Sequence, residues 1–152
     1  MAGTRKAKVF PDRVKPQLVT FRTHPPADDD AWDYEPKHDG FRLLVRIGSG
    51  VTLFTKNGLD WTAKMPQLKA DLSRLPVRET CIDGEVVALD DEGISHLHLV
   101  QQAFSEDTSR LIYYAFDLLF FDHVDLRSRP VEDRRALLKT LLEGFDLDCV
   151  RY

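Results

Sequence analysis

Between Phe41 and Thr55 the residues alternate. In "FRLLVRI", Phe41, Leu43, Val45 and Ile47 share one face of an extended chain, and Arg42 and Arg46 fall on the other. "GSG" follows as a turn, and "VTLFT" reads as the returning strand of a hairpin. A hairpin with one apolar face has to lay that face on something, so the rest of the chain is constrained to supply a sheet and its cover. Two further segments, "TCIDGEVVALD" and "RLIYYAFDLLFFD", read as buried strands, and "DCVRY" begins another. Asn57-Gly58 and "DDEG" carry turn signals. Met65, Leu68, Leu72 and Leu75 recur at the spacing of a short amphipathic helix, and "HLHLVQQAF" suggests a second. Pro130 opens a third at its first turn. Val131, Arg134, Leu137, Leu138, Leu141 and Leu142 mark its face, Glu132-Asp133 sit at its positive end, and Gly144 stands at its cap. Hairpin strands with helices inserted between them predict an antiparallel α+β domain rather than a doubly wound sheet.

The chain of 152 residues has room for one such domain. Hydrophobic residues at 43% and charged residues at 30% give a globular composition. The formal charge of -4 argues against a firm grip on nucleic acid by this piece alone. Cys81 and Cys149 are too few for a disulfide framework or a zinc site, which suggests reduced thiols and a cytoplasmic setting. "MAGTRKAKVF" lacks the apolar stretch of a secretory signal. The longest apolar run is broken by Asp117 and is too short to span a bilayer, so no membrane association is expected. Residues 1–31, with Pro11, Pro16, Pro25, Pro26 and the acidic knot Asp28-Asp29-Asp30, read as an extended lead-in wrapped on a domain over 32–152.

Three constellations could carry chemistry. In "YEPKHDGFR", Lys37 follows a proline and is flanked by Glu35, Asp39 and Arg42. A lysine acts as a nucleophile only when neutral, so from a reference pKa of about 10.4 it needs a packed site and nearby cations. Asp39-Gly40 is read as a tight turn beneath the amine, and the bland alternative is a solvated hairpin start. In "CIDGEVVALD", Asp83 and Glu85 are two apart and point the same way along a strand. Two acids on an apolar strand call for a metal, a ribose hydroxyl or an arginine; the alternative is a surface turn at Asp83-Gly84. In "YYAFDLLFF", Phe116 beside Asp117 offers a stacking surface for a base, or is simply core. His96 and His98 have no third partner at a metal-ligand spacing and are read as ordinary polar residues.

Together and in this order, the three segments resemble the motifs of the covalent nucleotidyltransferases: ATP-dependent DNA ligases, RNA ligases and capping enzymes. "EPKHDGFR" matches K-x-D-G-x-R, "IDGEVVA" is similar to the next acidic motif, and "YYAFDLLFFD" to the aromatic strand motif. "LFTKNGLDWTAKMPQL" and "DLRSRPVEDRRALLKTLL" resemble segments of bacterial ATP-dependent DNA ligases, including the ligase domain of the LigD end-joining type. The resemblance runs from about Trp32 onward. It implies an antiparallel-sheet nucleotidyltransferase fold, the ATP-grasp-like ligase adenylation domain. It also implies that Lys37 attacks ATP to form lysyl-AMP, with Glu35 by the adenine, Arg42 by the ribose or the nick phosphate, Glu85 on ribose or a divalent metal, and Phe116 stacked on adenine. Mg2+ is the implied metal. The implied partners are ATP, nicked double-stranded DNA contacted by Arg42, Lys56 and Asn57, and end-joining proteins.

Lys56 stands where the family usually has arginine, keeping the charge but losing a two-pronged phosphate grip. No lysine follows Lys139, so the later E-G-x-x-x-K and K-x-K strands of the family are missing, as is its OB-fold. The chain is therefore expected to be the N-terminal part of an incomplete adenylation domain. Alone it should bind ATP weakly, fail to seal nicks and self-associate through an apolar sheet edge. A degenerate nucleotide- or DNA-end-binding remnant and an RNA-joining or capping relative stay open as alternatives.

Overall fold

The structure, a computed structural model, describes residues 10–18, 20–27, 32 and 34–152. Six strands, β1 (Phe41–Ile47), β2 (Val51–Thr55), β3 (Thr80–Val87), β4 (Ile112–Phe121), β5 (Val124–Asp125) and β6 (Val150–Arg151), form one sheet. Its helices are α1 (Pro66–Leu72), α2 (Leu97–Glu106) and α3 (Val131–Glu143). The strand order β2-β1-β3-β4-β5 is antiparallel throughout, as the hairpin pattern predicts. The exception is β6, which joins β4 in parallel, with Tyr113 opposite Val150 and Tyr114 opposite Arg151. Pro130 stands one residue ahead of α3 as its N-cap, and Gly144 follows as its C-cap.

The sheet has an apolar face and a mixed face. Leu43, Val45, Leu53, Ile82, Val86, Leu118 and the buried residues of the helices make the main core. On the opposite face, Leu44, Cys81, Leu119 and Phe120 form a smaller cluster covered by Phe10 of the lead-in. Arg46 tethers this cover, donating to the Pro11 carbonyl at 3.1 Å and lying over the Phe10 ring. The lead-in thus touches the sheet at Phe10 and Pro11, while Leu18 and Phe21 stay exposed and Asp28-Asp29-Asp30 lie outside the described residues. Cys81 and Cys149 are free and buried, and burial above all pushes both thiols up to about 12, so they stay protonated. No described helix is long and apolar enough to cross a membrane.

Neither Asp-Gly pair is a turn. Gly84 lies in mid-strand, where an added Cβ would sit 2.4 Å from the Tyr114 carbonyl oxygen and 2.5 Å from the Tyr113 ring. The space it vacates lets the fully buried Tyr113 reach across β3 and donate to the Leu43 carbonyl at 3.0 Å. Gly40 immediately precedes β1 with φ outside the left-handed region, and a Cβ there would meet the Val86 carbonyl oxygen at 2.1 Å. Both glycines are therefore explained by close approach of backbone, the role glycine takes in strands. The β3–β4 ladder contains two bulges. Ile82 faces Leu118 while Cys81 faces Phe120, and Gly84 faces Ala115 while Asp83 faces Asp117, so Leu119 and Phe116 are the extra residues.

Gly84→Ala should lower unfolding stability by about 3 kcal/mol through overpacking. Gly50→Ala, with nothing within 4 Å of the new methyl, should change it by less than about 0.5 kcal/mol. Urea unfolding of the two variants checks this, and equal midpoints would remove the close-approach account of Gly84.

Candidate active site

The mixed face of the sheet opens into a cleft of about 1270 Å³. Three separated segments bring side chains to it. The loop before β1 brings Glu35 and Lys37, the facing register of β1 and β3 brings Arg42 and Glu85, and the β4 bulge brings Phe116. In a regular strand Phe116 and Asp117 would point to opposite faces; the bulge lets both line the cleft. Gln17, Leu18, Thr20 and the stretch Arg22 to Pro26 of the lead-in also line it. Lys56 and Asn57 do not join this cleft. They line a separate cavity of about 180 Å³ beside Arg13 and Lys15 of the lead-in.

Arg42 sits at the centre. Its Nε and Nη2 donate to Asp83 Oδ1 and Oδ2 at 2.6 and 2.7 Å, and its guanidinium lies 4.6 Å from the Phe116 ring centroid. Asp83 is buried, so this two-pronged contact meets the need for a positive partner that the strand's sequence raises. Burial pushes the Asp83 carboxyl up against the pull of Arg42. Burial also lowers Arg42, but Asp83 and then Glu85 outweigh it and hold the guanidinium above its ordinary value. Glu85 shares the face with Asp83, as the strand period predicts. It is half-buried, and burial raises its carboxyl against the attraction of Arg42 and the hydrogen bond from the Gly40 amide.

Lys37 is held differently from the packed site expected of a neutral nucleophile. Its side chain is 85% exposed and its ammonium pairs with Asp39. That hydrogen bond, reinforced by charge, pushes the amine above the ordinary lysine range and Asp39 below the ordinary carboxylate range. The loop itself is well anchored. His38 stacks on Tyr114 with centroids 4.4 Å apart, and the Asp39 amide donates to Ser95 Oγ at 2.9 Å.

Sequence reasoning missed the contribution of α3. Arg134 donates from Nε and Nη2 to Asp117 at 2.7 and 2.9 Å, and Arg135 pairs with Glu35. The signal for Arg134 was present as a charged residue within the apolar stripe of α3. Arg135 stands at the margin of that stripe, one turn after Val131 and one before Leu138, and was not singled out. His96 Nε2 pairs with Asp90 Oδ2 at 2.8 Å. Among the described residues no group of three or more His, Cys, Asp or Glu gathers as a metal site.

A family model described as the ATP dependent DNA ligase domain matches residues 16–147. The multifunctional non-homologous end joining protein LigD of Pseudomonas aeruginosa is 41% identical over 145 residues, covering 94% of this chain and 17% of that protein. The LigD of Mycobacterium tuberculosis is 39% identical over 149 residues, covering 97% of this chain and 19% of that protein. The chain thus spans less than a fifth of these relatives. Among solved structures, the ligase domain of M. tuberculosis LigD superposes with a TM-score of 0.67 at 36% identity, over 78% of this chain and 39% of that one. A mycobacterial DNA ligase D complexed with ATP and MES gives 0.60 at 35% identity, over 78% of this chain and 38% of that one.

Arg42→Met should destabilise the chain by about 3–5 kcal/mol at neutral pH, because Asp83 is left buried and unpaired. The folded-state pKa of Asp83 is raised, so protonation relieves the variant. Stability should recover as pH falls through that raised pKa and should decline again as pH rises through it. Denaturant melts across pH measure this; a variant that only loses stability on acidification would contradict the assignment.

Proposed function

The chain belongs to the ATP-dependent DNA ligase domain family, and from that membership we propose that it carries the nucleotide-binding and lysine-adenylation half of such a ligase's chemistry. The observation that supports this most directly is the convergence of Glu35, Lys37, Arg42, Glu85 and Phe116 on one cleft from segments far apart in sequence. In the proposed reaction Lys37 Nζ attacks the α-phosphorus of ATP. A P–N bond forms, the P–O bond to pyrophosphate breaks, and the amine proton leaves to solvent or base. The AMP group then passes to the 5′-phosphate of nicked double-stranded DNA, and the 3′-hydroxyl displaces it.

Each side chain has a role in this reading. Phe116 supplies the ring for adenine, Glu35 borders the base, and Arg42 approaches ribose or the nick phosphate. Asp83 is committed to Arg42 and Asp117 to Arg134. Glu85, which accepts instead from the Gly40 amide, is the carboxylate we assign to ribose or to Mg2+. One carboxylate plus nucleotide phosphates is a normal ligand set for Mg2+, which when bound neutralises phosphate charge. Lys56 and Asn57, in their own cavity, are assigned to DNA. By analogy with the end-joining names of the relatives, the reading extends to DNA ends and end-joining proteins as partners; from the residues alone it extends to a cytoplasmic setting and to self-association through the outer edge of β6. A second reading, nucleotide or DNA-end binding without catalysis, is favoured by the ion pair that keeps Lys37 protonated.

Incubation with α-labelled ATP and Mg2+, followed by a denaturing gel, separates the two readings. Label should stay on the chain and should vanish in Lys37→Ala. It should vanish too in Lys37→Arg, because a guanidinium stays protonated. Saturable ATP binding without any covalent label would leave the binding-only reading in place. Phe116→Ala should weaken ATP binding by about 1–3 kcal/mol, whereas Glu85→Ala should slow labelling and alter its Mg2+ requirement. Labelling that persists in Lys37→Ala would take the nucleophile's role from Lys37.

A further inference from the structure

We propose that Arg134 is a positioning residue for the nucleotide pocket, orienting the ring of Phe116 by clamping Asp117; this rests on the reading of Phe116 as the base-stacking residue. Phe116 is the extra residue of a bulge, so the β3–β4 ladder does not by itself fix the direction of its side chain. The next residue is fixed. Asp117 accepts from Nε and Nη2 of Arg134 at 2.7 and 2.9 Å, and from its neighbour's amide, Leu118, at 2.8 Å. The remaining guanidinium nitrogen of Arg134 donates to the Arg129 carbonyl at 2.6 Å, just before α3 begins. Arg134 is 8% exposed, and with all three nitrogens engaged its fork has no second orientation to take.

A buried ion pair is a weak source of net stability, because desolvation offsets the attraction. A planar two-pronged contact is a strong source of direction. The following residue of the same helix, Arg135, pairs with Glu35, two positions before Lys37. One turn of α3 therefore holds both the base-stacking bulge and the segment that carries the nucleophile. Their separation is set by the helix rather than by either strand alone. A pocket defined this way should recognise the nucleoside half of ATP through α3 and the phosphate half by other groups.

The test uses the full chain, with ATP and inorganic tripolyphosphate as probes, and calorimetric affinities corrected for the folded fraction. Arg134→Gln and Asp117→Asn should each weaken ATP about tenfold, and the double variant should be no weaker than either, as expected for two residues acting as one unit. Tripolyphosphate affinity should not change. Arg134→Lys, which keeps the charge and loses the fork, should restore only part of the ATP affinity and guards against a poorly folded glutamine variant. Leu138→Ala, in the buried face of the same helix, should lower the melting temperature and leave ATP affinity per folded molecule as it was. If Arg134→Gln behaves like Leu138→Ala, or weakens both probes equally, the clamp is overturned while the stacking role of Phe116 stands. If Phe116→Ala leaves ATP affinity unchanged, the stacking role falls and takes the clamp with it.

Discussion

The two-pronged contact between Arg42 and Asp83 is the interaction on which the cleft depends. It occupies the carboxylate that burial would otherwise make most costly, joins β1 to β3, and lays a cation against the ring of Phe116 on β4. Without it, the mixed face would hold an unmatched charge within the sheet, and neither the Phe116 ring nor Glu85 would have its present neighbour. The apolar face supplies the cohesion of the domain; the polar face owes its order to this contact and to the parallel one made by Arg134.

Those two contacts share a design. Each buried or half-buried aspartate, Asp83 or Asp117, receives a guanidinium fork from a different element, and the two acids stand opposite one another in the β3–β4 register. Two like charges directly across a ladder repel. Two arginines arriving from opposite sides neutralise them and fasten β1 and α3 to the centre of the sheet at one level. The bulge that carries Phe116 lies between these fixed points.

Much of this was legible in the sequence. The alternation in "FRLLVRI" and "VTLFT", the leucine spacing of α1 and α3, and the apolar length of β4 each report burial with a clear period, and the strands and helices follow them. Five of the chosen residues share the cleft because motif order carries the site's topology. What was not legible depends on relations between distant backbones. The bulges in β4, the parallel seat of β6 and the true reason for Gly40 and Gly84 are properties of pairs of strands. Asn57 belongs to a turn signal in the sequence and Lys56 precedes it, which says nothing of the separate cavity they line. The sequence left open whether Lys37 is packed or stands at a solvated hairpin start. Its local sequence shows Asp39 nearby, while only the structure shows the amine exposed and held by it.

The wall of the cleft formed by the lead-in has a property of its own. Its near end is seated by Phe10, 7% exposed, but Leu18 and Phe21 are 75% and 85% exposed, and the described main chain from 10 to 27 makes no ladder with the sheet. Arginine side chains hold it at isolated carbonyls instead, Arg46 at Pro11 and Arg42 at Gln17. Such a segment opens at far lower free energy than the strands behind it. The cleft is therefore built as a rigid floor with a rim moored at a few points. Because the Arg42–Gln17 contact is long, at 3.5 Å, and the same nitrogen is committed to Asp83 at 2.7 Å, the rim is secured chiefly at its near end, by Phe10 and Arg46, and its far end is the part free to yield.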